Sequence, residues 1–213
     1  MKLPRTVQPN LSIRKGFDVL EALAFSHLPL TTGQIATQLQ IDKSVASRIL
    51  LTLAELGYVQ RIGRGVWRSS TGLIALSLMG LRNSPLVHVK PLLLDLQARL
   101  QCIVALGFVW KTHVVYVFHS ADSDHHATDG LGHVFPAANS SIGQLLTSPR
   151  TLTHKLHWIK KQKYFSLAVP LEFAGFRYGL AVAGPAAKLD DDLLPLLRDF
   201  AEKMHARAAD DGP

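Results

Sequence analysis

The chain has 213 residues, of which 47% are hydrophobic and 18% are charged, and its formal net charge is +7. This composition excludes a disordered tail, and the length allows two modest domains, each with its own core. The positive charge is concentrated: residues 1–82 hold ten Lys and Arg against four Asp and Glu, a net of +6, whereas residues 83–213 have a net of +1. A basic first half is typical of a module that binds phosphates.

The sequence lacks the signals of several other classes of protein. No apolar run approaches membrane-spanning length, and the N-terminal residues lack the continuous apolar core of a secretory signal. Cys102 is the only cysteine. An intrachain disulfide is therefore excluded, and the apolar residues that follow Cys102 indicate a buried structural thiol. We expect a cytoplasmic protein with no membrane partner.

No residue pattern indicates catalysis or a cofactor. No Ser/His/Asp or Cys/His arrangement has a recognisable spacing, and the segment Gly63-Arg64-Gly65 is too short for a phosphate-binding loop. One cluster of metal-ligand residue types lies in a polar loop without Cys or a helical His pair, which is typical of a solvated loop. Its members are His119, Asp122, Asp124, His125 and His126. We expect no enzyme activity, no cofactor and no metal.

The first half of the chain predicts three helices and a small hairpin. Residues 1–11 contain two prolines and little periodicity, which is typical of a mobile arm. A first helix is predicted from Ser12, a short second helix at 34–39 and a longer third helix at 43–56. Two short strands follow at 60–68. This order is that of a winged helix-turn-helix, which lays its second motif helix in a DNA groove.

The helix at 43–56 has two different faces when each residue is given a rotation of about 100°. The arc predicted to pack on the core holds Val45, Ala46, Ile49, Leu50, Leu53 and Leu56. The opposite arc holds Ser44, Ser47, Arg48, Leu51 and Glu55.

Ser44 lies in the first turn, where it can bind a phosphate, and Arg48 is placed to contact a guanine. Arg64 lies between two glycines at the wing tip, where it can enter a minor groove. The predicted DNA-binding residues are Thr32, Lys43, Ser44, Val45, Ser47, Arg48, Arg61, Arg64 and Arg68.

Other interpretations of this face stay open. A polar helix face is commonly just solvated, and Leu51 on the outward side also suits a contact with protein. The short helix before it, the charge asymmetry and the wing favour DNA. The alternative is a winged-helix module that binds a protein; an enzyme with an appended DNA-binding domain is a weaker option.

Residues 71–82 predict a helix with no charge before Arg82 and no polar face. Such a helix is unfavourable in water, so we expect it to pair, together with the opening helix, with a second copy of the chain. Asn83-Ser84-Pro85 then marks a boundary. The predicted domains are an arm (1–11), a winged helix-turn-helix (12–70), a linker helix (71–85) and a second domain (86–213).

The second domain is predicted to be α+β, with an antiparallel sheet and flanking helices. The predicted helices are 86–100, 140–147, 152–163 and 190–209. The predicted strands form two hairpins, 103–110 with 113–119 and 165–172 with 176–183. The basic run 160–163 is interpreted as the charged end of a helix.

Two motifs in the first half resemble the IclR family of bacterial transcription regulators. The family's recognition helix starts "Lys-Ser-x-x-x-Arg", which stands here as Lys43-Ser44-Val45-Ala46-Ser47-Arg48. Its exit to the wing, "Glu-Leu-Gly-Tyr-Val", stands as Glu55-Leu56-Gly57-Tyr58-Val59. The resemblance runs from about Ser12 to Ala209. It implies a sequence-specific regulator that binds double-stranded operator DNA as a homodimer or homotetramer and is associated with the bacterial nucleoid when bound.

The second half resembles the family's GAF-like effector domain less closely. Ala138 to Gly143 resembles the turn and helix start that face the effector in the family, and Leu180 to Pro185 resembles its last strand. N–H groups at a helix start can also hold a carboxylate. The predicted effector-binding residues are Asn139, Ser140, Ser141, Gly143, Ala168, Pro170, Ala181 and Ala183.

Three departures from the family change the expected effector. Gln144 stands where the family usually has lysine, Ala181 and Ala183 stand where it often has hydroxyl residues, and the segment between Thr147 and Leu167 is shorter. The sheet side of the pocket should therefore be apolar. We expect an aromatic or otherwise largely apolar acid rather than a small polar one such as glyoxylate. The alternative is a degenerate pocket that has lost its ligand.

Overall fold

A computed structural model describes residues 8–120, 134–148, 153–159, 162–173 and 175–210. The chain divides into two compact units, Met1–Arg82 and Asn83–Pro213. The boundary between the two units lies directly after the apolar helix at 71–82. Residues 1–7 of the predicted arm lie outside the described residues. Among those described, no helix is long and apolar enough to cross a membrane.

The N-terminal unit is a winged helix-turn-helix, as predicted. Its three strands form an antiparallel sheet in the order β1-β3-β2. Its elements are α1 (Leu11–Phe25), β1 (Leu30–Thr31), α2 (Thr32–Leu39), α3 (Lys43–Glu55), β2 (Val59–Gly63), β3 (Val66–Ser69) and α4 (Thr71–Arg82). Asn10 is the N-cap of α1, and its side-chain oxygen accepts hydrogen bonds from the Ser12 and Ile13 N–H groups.

The core of this unit joins the wing to the helix-turn-helix. Buried side chains from α1, α2 and α3 pack on the sheet, with Trp67 of β3 among them. The Trp67 indole N–H donates to the Thr32 hydroxyl at 3.0 Å, and the Thr32 N–H donates to the Gly65 carbonyl at 2.9 Å. Thr32 is only 8% exposed. Its side chain is therefore committed inside the unit, and its contact with DNA stays a prediction.

The faces of α3 follow the predicted pattern with one exception. Ala46, Leu50 and Leu53 are buried, and Leu51 is 54% exposed. Leu56 was expected in the core but is 61% exposed, because the helix ends at Glu55 and Leu56 already belongs to the turn. The helix is therefore one residue shorter than the sequence predicts.

The C-terminal unit is built on a six-stranded antiparallel sheet in the order β6-β5-β4-β9-β8-β7. Its helices are α5 (Leu86–Leu100), α6 (Ser141–Leu146) and α7 (Leu193–Asp210). Its strands are β4 (Ile103–Trp110), β5 (His113–His119), β6 (Val134–Pro136), β7 (Thr153–Ile159), β8 (Gln162–Phe173) and β9 (Phe176–Pro185). The bounds of α5, β4 and β5 are as predicted.

The helix predicted at 152–163 is wrong. Residues Thr153–Ile159 form the edge strand β7, which pairs with β8 from Thr153 opposite Ala168 to Ile159 opposite Gln162. The basic run 160–163 is likewise not a helix end, since Gln162 and Lys163 begin β8. Pairing with a long neighbouring strand here outweighs the local helical pattern. Asp122, Asp124, His125 and His126 lie outside the described residues.

The two faces of the large sheet are covered by different helices. Leu167, Leu180 and Val182 belong to the cluster that α5 and α7 complete. On the opposite face, Ala168 and Ala181 share a smaller cluster with Ile142 and Leu145 of α6. The fold is thus an α+β sandwich, and α6 lies where the sequence predicts the effector site.

Replacing Thr32 with Val should lower the free energy of unfolding by about 1–3 kcal/mol, because the buried Trp67 N–H loses its acceptor while the side-chain shape is kept. Urea denaturation of the full chain measures this change. Thr37→Val is the matched control, since Thr37 is an exposed residue of the same helix. Equal stability of both variants would contradict the structural role given to Thr32.

Candidate nucleic-acid interface

The first two turns of α3 form a polar, cationic surface. Lys43, Ser44 and Arg48 are exposed, and Val45 and Ser47 are half-buried beside them. Asp42 precedes the helix but makes no side-chain cap hydrogen bond. The N–H groups of the first turn therefore point out of the helix without a side-chain acceptor, which is the arrangement that binds a phosphate at a helix N-terminus.

The wing contributes three arginines with different constraints. Arg61 Nε donates to the Gly63 carbonyl at 3.2 Å, and its guanidinium lies 5.9 Å from the centre of the Trp67 ring. Arg68 donates through Nε and Nη2 to the Gln60 side chain at 3.2 and 2.9 Å. Arg64 is exposed at the tip, next to Gly65, whose φ of +70° makes the tight turn possible. Arg64 is thus the wing cation best placed to reach a ligand.

These cations have no acidic partners within the described residues. Two ion pairs of that part of the chain join Asp95 to Arg99 and Asp199 to Lys203, both in the C-terminal unit. Leaving several exposed cations unpaired on one surface is unfavourable for an isolated domain but suits an anionic polymer. The structure therefore brings together the predicted residues of α3 and the wing on one unit, and Thr32 is the buried member of the predicted set.

One cation of this surface was missed from the sequence. Lys15 of α1 lines a groove of about 450 Å³ together with Ser12, Val45, Arg48 and Thr52. The Thr52 hydroxyl donates to the Arg48 carbonyl at 3.1 Å, and Lys15 and Arg48 are the two cations of this lining. A helical projection could have found Lys15, since it lies only about 40° from the buried Val19 and so on the side of α1 that meets α3.

The predicted effector-binding residues divide into two groups. Ser140 is 6% exposed, and its hydroxyl accepts from the Gly143 N–H at 3.2 Å and lies 2.8 Å from the Tyr116 hydroxyl. Burial raises the pKa of the Tyr116 phenol, and the hydrogen bond to Ser140 opposes that shift. The Tyr116 phenol is therefore protonated at neutral pH, and either hydroxyl of the Tyr116–Ser140 pair can donate the hydrogen bond. Tyr116 is a second residue that the sequence did not single out.

Close packing accounts for the small residues of the predicted effector site. A Cβ at Gly143 would overlap the Ala137 backbone, 2.5 Å from its Cα. Ala168 and Ala181 are buried beneath Ile142 and Leu145 of α6. Ser140, Gly143, Ala168 and Ala181 thus have packing roles in the structure, and their contact with an effector stays a prediction. The other four, Asn139, Ser141, Pro170 and Ala183, are exposed or half-buried.

Comparison with known proteins shows what the N-terminal unit is similar to. Residues 12–63 match the family model of the IclR helix-turn-helix domain. No curated protein sequence matches the chain.

Solved structures of IclR-family proteins share the fold of the whole chain. An IclR-family transcriptional regulator from Brucella abortus superimposes with a TM-score of 0.74 at 18% identity, covering 100% of this chain and 97% of that one. An IclR homologue from Microbacterium hydrocarbonoxydans, complexed with 4-hydroxybenzoate, gives 0.67 at 16% identity, covering 94% and 100%. An IclR-type regulator from Alicyclobacillus acidocaldarius gives 0.65 at 15% identity, covering 94% and 98%. The predicted two-domain α+β fold is confirmed.

Replacing Lys15 with Gln should weaken binding to all duplexes alike and reduce the slope of log affinity against log salt by about 0.9, the value for one phosphate contact. Fluorescence anisotropy with a random-sequence duplex, titrated between about 50 and 200 mM KCl, measures the slope. Lys90→Gln removes an exposed charge from α5 and serves as the control. A slope that matches the wild type would exclude Lys15 from the interface.

Proposed function

We propose that this chain is a sequence-specific, DNA-binding transcription regulator of the IclR type. The observation that carries the proposal is the unpaired cationic surface of α3 and the wing on an IclR helix-turn-helix domain. Its partner is double-stranded operator DNA in the cytoplasm of a bacterium. α3 is the recognition helix.

The roles of the side chains follow from their positions. Lys43, Ser44 and the N–H groups of the first turn of α3 bind backbone phosphates, which sets the register of the helix in the major groove. Arg48 lies one turn further on and contacts a guanine through two nitrogens. Arg64 enters the minor groove at the wing tip, whereas Arg61 and Arg68 hold the wing and add positive charge.

Self-association supplies a second recognition helix. In α4, Ile74, Leu76, Leu78 and Met79 are all more than half exposed, and Phe17 of α1 is 59% exposed. An apolar surface of this extent is typical of a subunit interface. We propose a homodimer formed through α4 and α1, in which two-fold symmetry matches a palindromic operator. A homotetramer would be two such dimers.

A small organic acid, aromatic or largely apolar, is the proposed effector. Pro170 and Ala183, the half-buried residues of the predicted sheet side, have no side-chain hydrogen-bonding groups, which favours an apolar ligand over one that needs hydroxyl partners. The relative from Microbacterium hydrocarbonoxydans, with 4-hydroxybenzoate in its structure, supports the aromatic class. Asn139 and Ser141 at the start of α6 are the proposed polar contacts, with Pro170 and Ala183 on the sheet side. The packing of α6 on Ala168 and Ala181 supports the alternative of a regulator whose pocket is degenerate.

The exposed side chain of Leu51 favours a rival function, that of a winged helix which binds a protein. The two functions differ in their response to salt. A DNA-binding unit binds random duplexes at low salt and loses that affinity steeply as salt rises. A flat response would favour the protein-binding module.

Replacing Arg48 with Ala should cost about 1–3 kcal/mol in operator affinity and relax the preference at one base pair of each half-site, because a bidentate contact to guanine is lost. Selection of duplexes from a random pool, followed by affinity measurement, tests both effects. Arg198→Ala, an exposed arginine of α7, is the control. Unchanged affinity and selectivity in Arg48→Ala would refute the placement of the recognition helix.

Aromatic acids such as 4-hydroxybenzoate should raise the melting temperature of the full chain more than glyoxylate or pyruvate do, because an apolar sheet face cannot hydrogen-bond a small polar acid. Thermal-shift measurements across both classes of acid provide the comparison. Stabilisation by glyoxylate or pyruvate alone would refute the proposed class. No stabilisation by any acid would instead favour the degenerate pocket.

A further inference from the structure

The recognition helix ends in a turn built from backbone hydrogen bonds. The Gly57 N–H donates to the Ala54 carbonyl at 3.0 Å, and the Tyr58 N–H donates to the Leu53 carbonyl at 2.9 Å. This pair is the Schellman motif, which requires a left-handed residue after the helix, and Gly57 has a φ of +80°. The Gly57 carbonyl is thereby held in a fixed position at the end of α3.

The first turn of α4 docks on that carbonyl. The Gly72 N–H donates to the Gly57 carbonyl at 3.2 Å, and the Ser70 N–H donates to the Tyr58 carbonyl at 2.9 Å. A Cβ on Gly72 would overlap the Gly57 carbonyl oxygen and lie 2.8 Å from the Gly57 carbonyl carbon. Backbone therefore meets backbone at this point, and only glycine at position 72 allows the contact without a shift of α4.

Beyond this turn, α4 has little other support from its own unit. Leu73 packs against the core of the unit, but Ile74, Leu76, Leu78 and Met79 are 53–66% exposed. A helix of 12 residues is about 18 Å long, so a tilt of about 10° at its base moves its far end by about 3 Å. Small changes at Gly72 are thus amplified along the apolar part of α4.

We propose that the Gly57–Gly72 contact is the joint that fixes the direction of α4 relative to the recognition helix, and hence the spacing of the two recognition helices in a dimer. The inference rests on the proposed function, in which α4 forms the dimer. Half-sites must match the separation of the recognition helices along the duplex, so a displaced α4 changes the operator spacing that the dimer prefers. Gly72 is therefore a positioning residue for DNA recognition, without touching DNA itself.

The test compares Gly72→Ala with Gly33→Ala in the full chain. Gly33 lies on α2 of the same unit, outside the α4 and α1 surfaces proposed for the dimer, and a Cβ there would be 3.9 Å from the Thr31 hydroxyl oxygen, an ordinary contact. Two probes are used: the duplex that the wild type selects from a random pool, and the same duplex with one half-site scrambled.

We expect Gly72→Ala to lose about tenfold or more in affinity for the intact duplex, because two half-sites no longer engage together, and to keep wild-type affinity for the scrambled one. Gly33→Ala should match the wild type on both, and light scattering should show both variants in the wild-type oligomeric state.

Two outcomes would overturn the joint. Equal affinity of Gly72→Ala and wild type for the intact duplex would show that the contact does not set spacing. An equal loss on both duplexes would show that Gly72 merely maintains the fold of the unit. A wild-type chain that selects no duplex at all would refute the proposed function, which is a different result from either.

Discussion

The attachment of the wing to the helix-turn-helix is the constraint on which the DNA-binding unit depends. The Trp67 indole is buried in the core and donates to Thr32 at the first residue of α2, while β1 pairs with β3 at Leu30 opposite Trp67. The Thr32 N–H reaches the Gly65 carbonyl, one residue from the wing tip. Arg64 is consequently held at a fixed place relative to α2 and α3. In a wing joined to the helices only at the ends of its strands, the position of Arg64 relative to α2 and α3 would vary more.

Backbone hydrogen bonds also connect α3 to α4 within this unit. α3 begins without a side-chain cap and ends in a turn whose carbonyl receives α4. Cations of α3 and the wing are exposed around these contacts. The contacts are main-chain bonds together with the Trp67–Thr32 side-chain bond, and they do not use the side chains of Lys43, Arg48 and Arg64, which stay available for a polyanion.

The sequence predicted best where a single periodicity controlled the outcome. The faces of α3, the bounds of α4 and α5, and the first hairpin of the second unit follow from 3.6-residue and two-residue patterns. It failed at Thr153–Ile159, where the local pattern is helical but the segment pairs with the strand that begins at Gln162. The burial of Thr32 was not predicted either, because its hydrogen-bond partner Trp67 is 35 residues away.

The effector site shows a different limit of sequence reasoning. The resemblance to the family's effector domain predicts Gly143, Ala168 and Ala181 as ligand contacts, and in the structure these small residues allow α6 to approach the sheet closely. A glycine or alanine in a sequence does not indicate whether a ligand or a neighbouring helix lies next to it in the fold. Tyr116 was overlooked because its hydroxyl partner, Ser140, lies on a distant segment of the chain.

The central claim is that α3 and the wing recognise DNA by sequence. The most direct measurement is selection by the full wild-type chain from a pool of random duplexes, followed by sequencing. We expect enrichment of an inverted repeat whose half-sites are separated by about one helical turn of DNA or a multiple of it. A pool that stays unenriched after repeated rounds would contradict it.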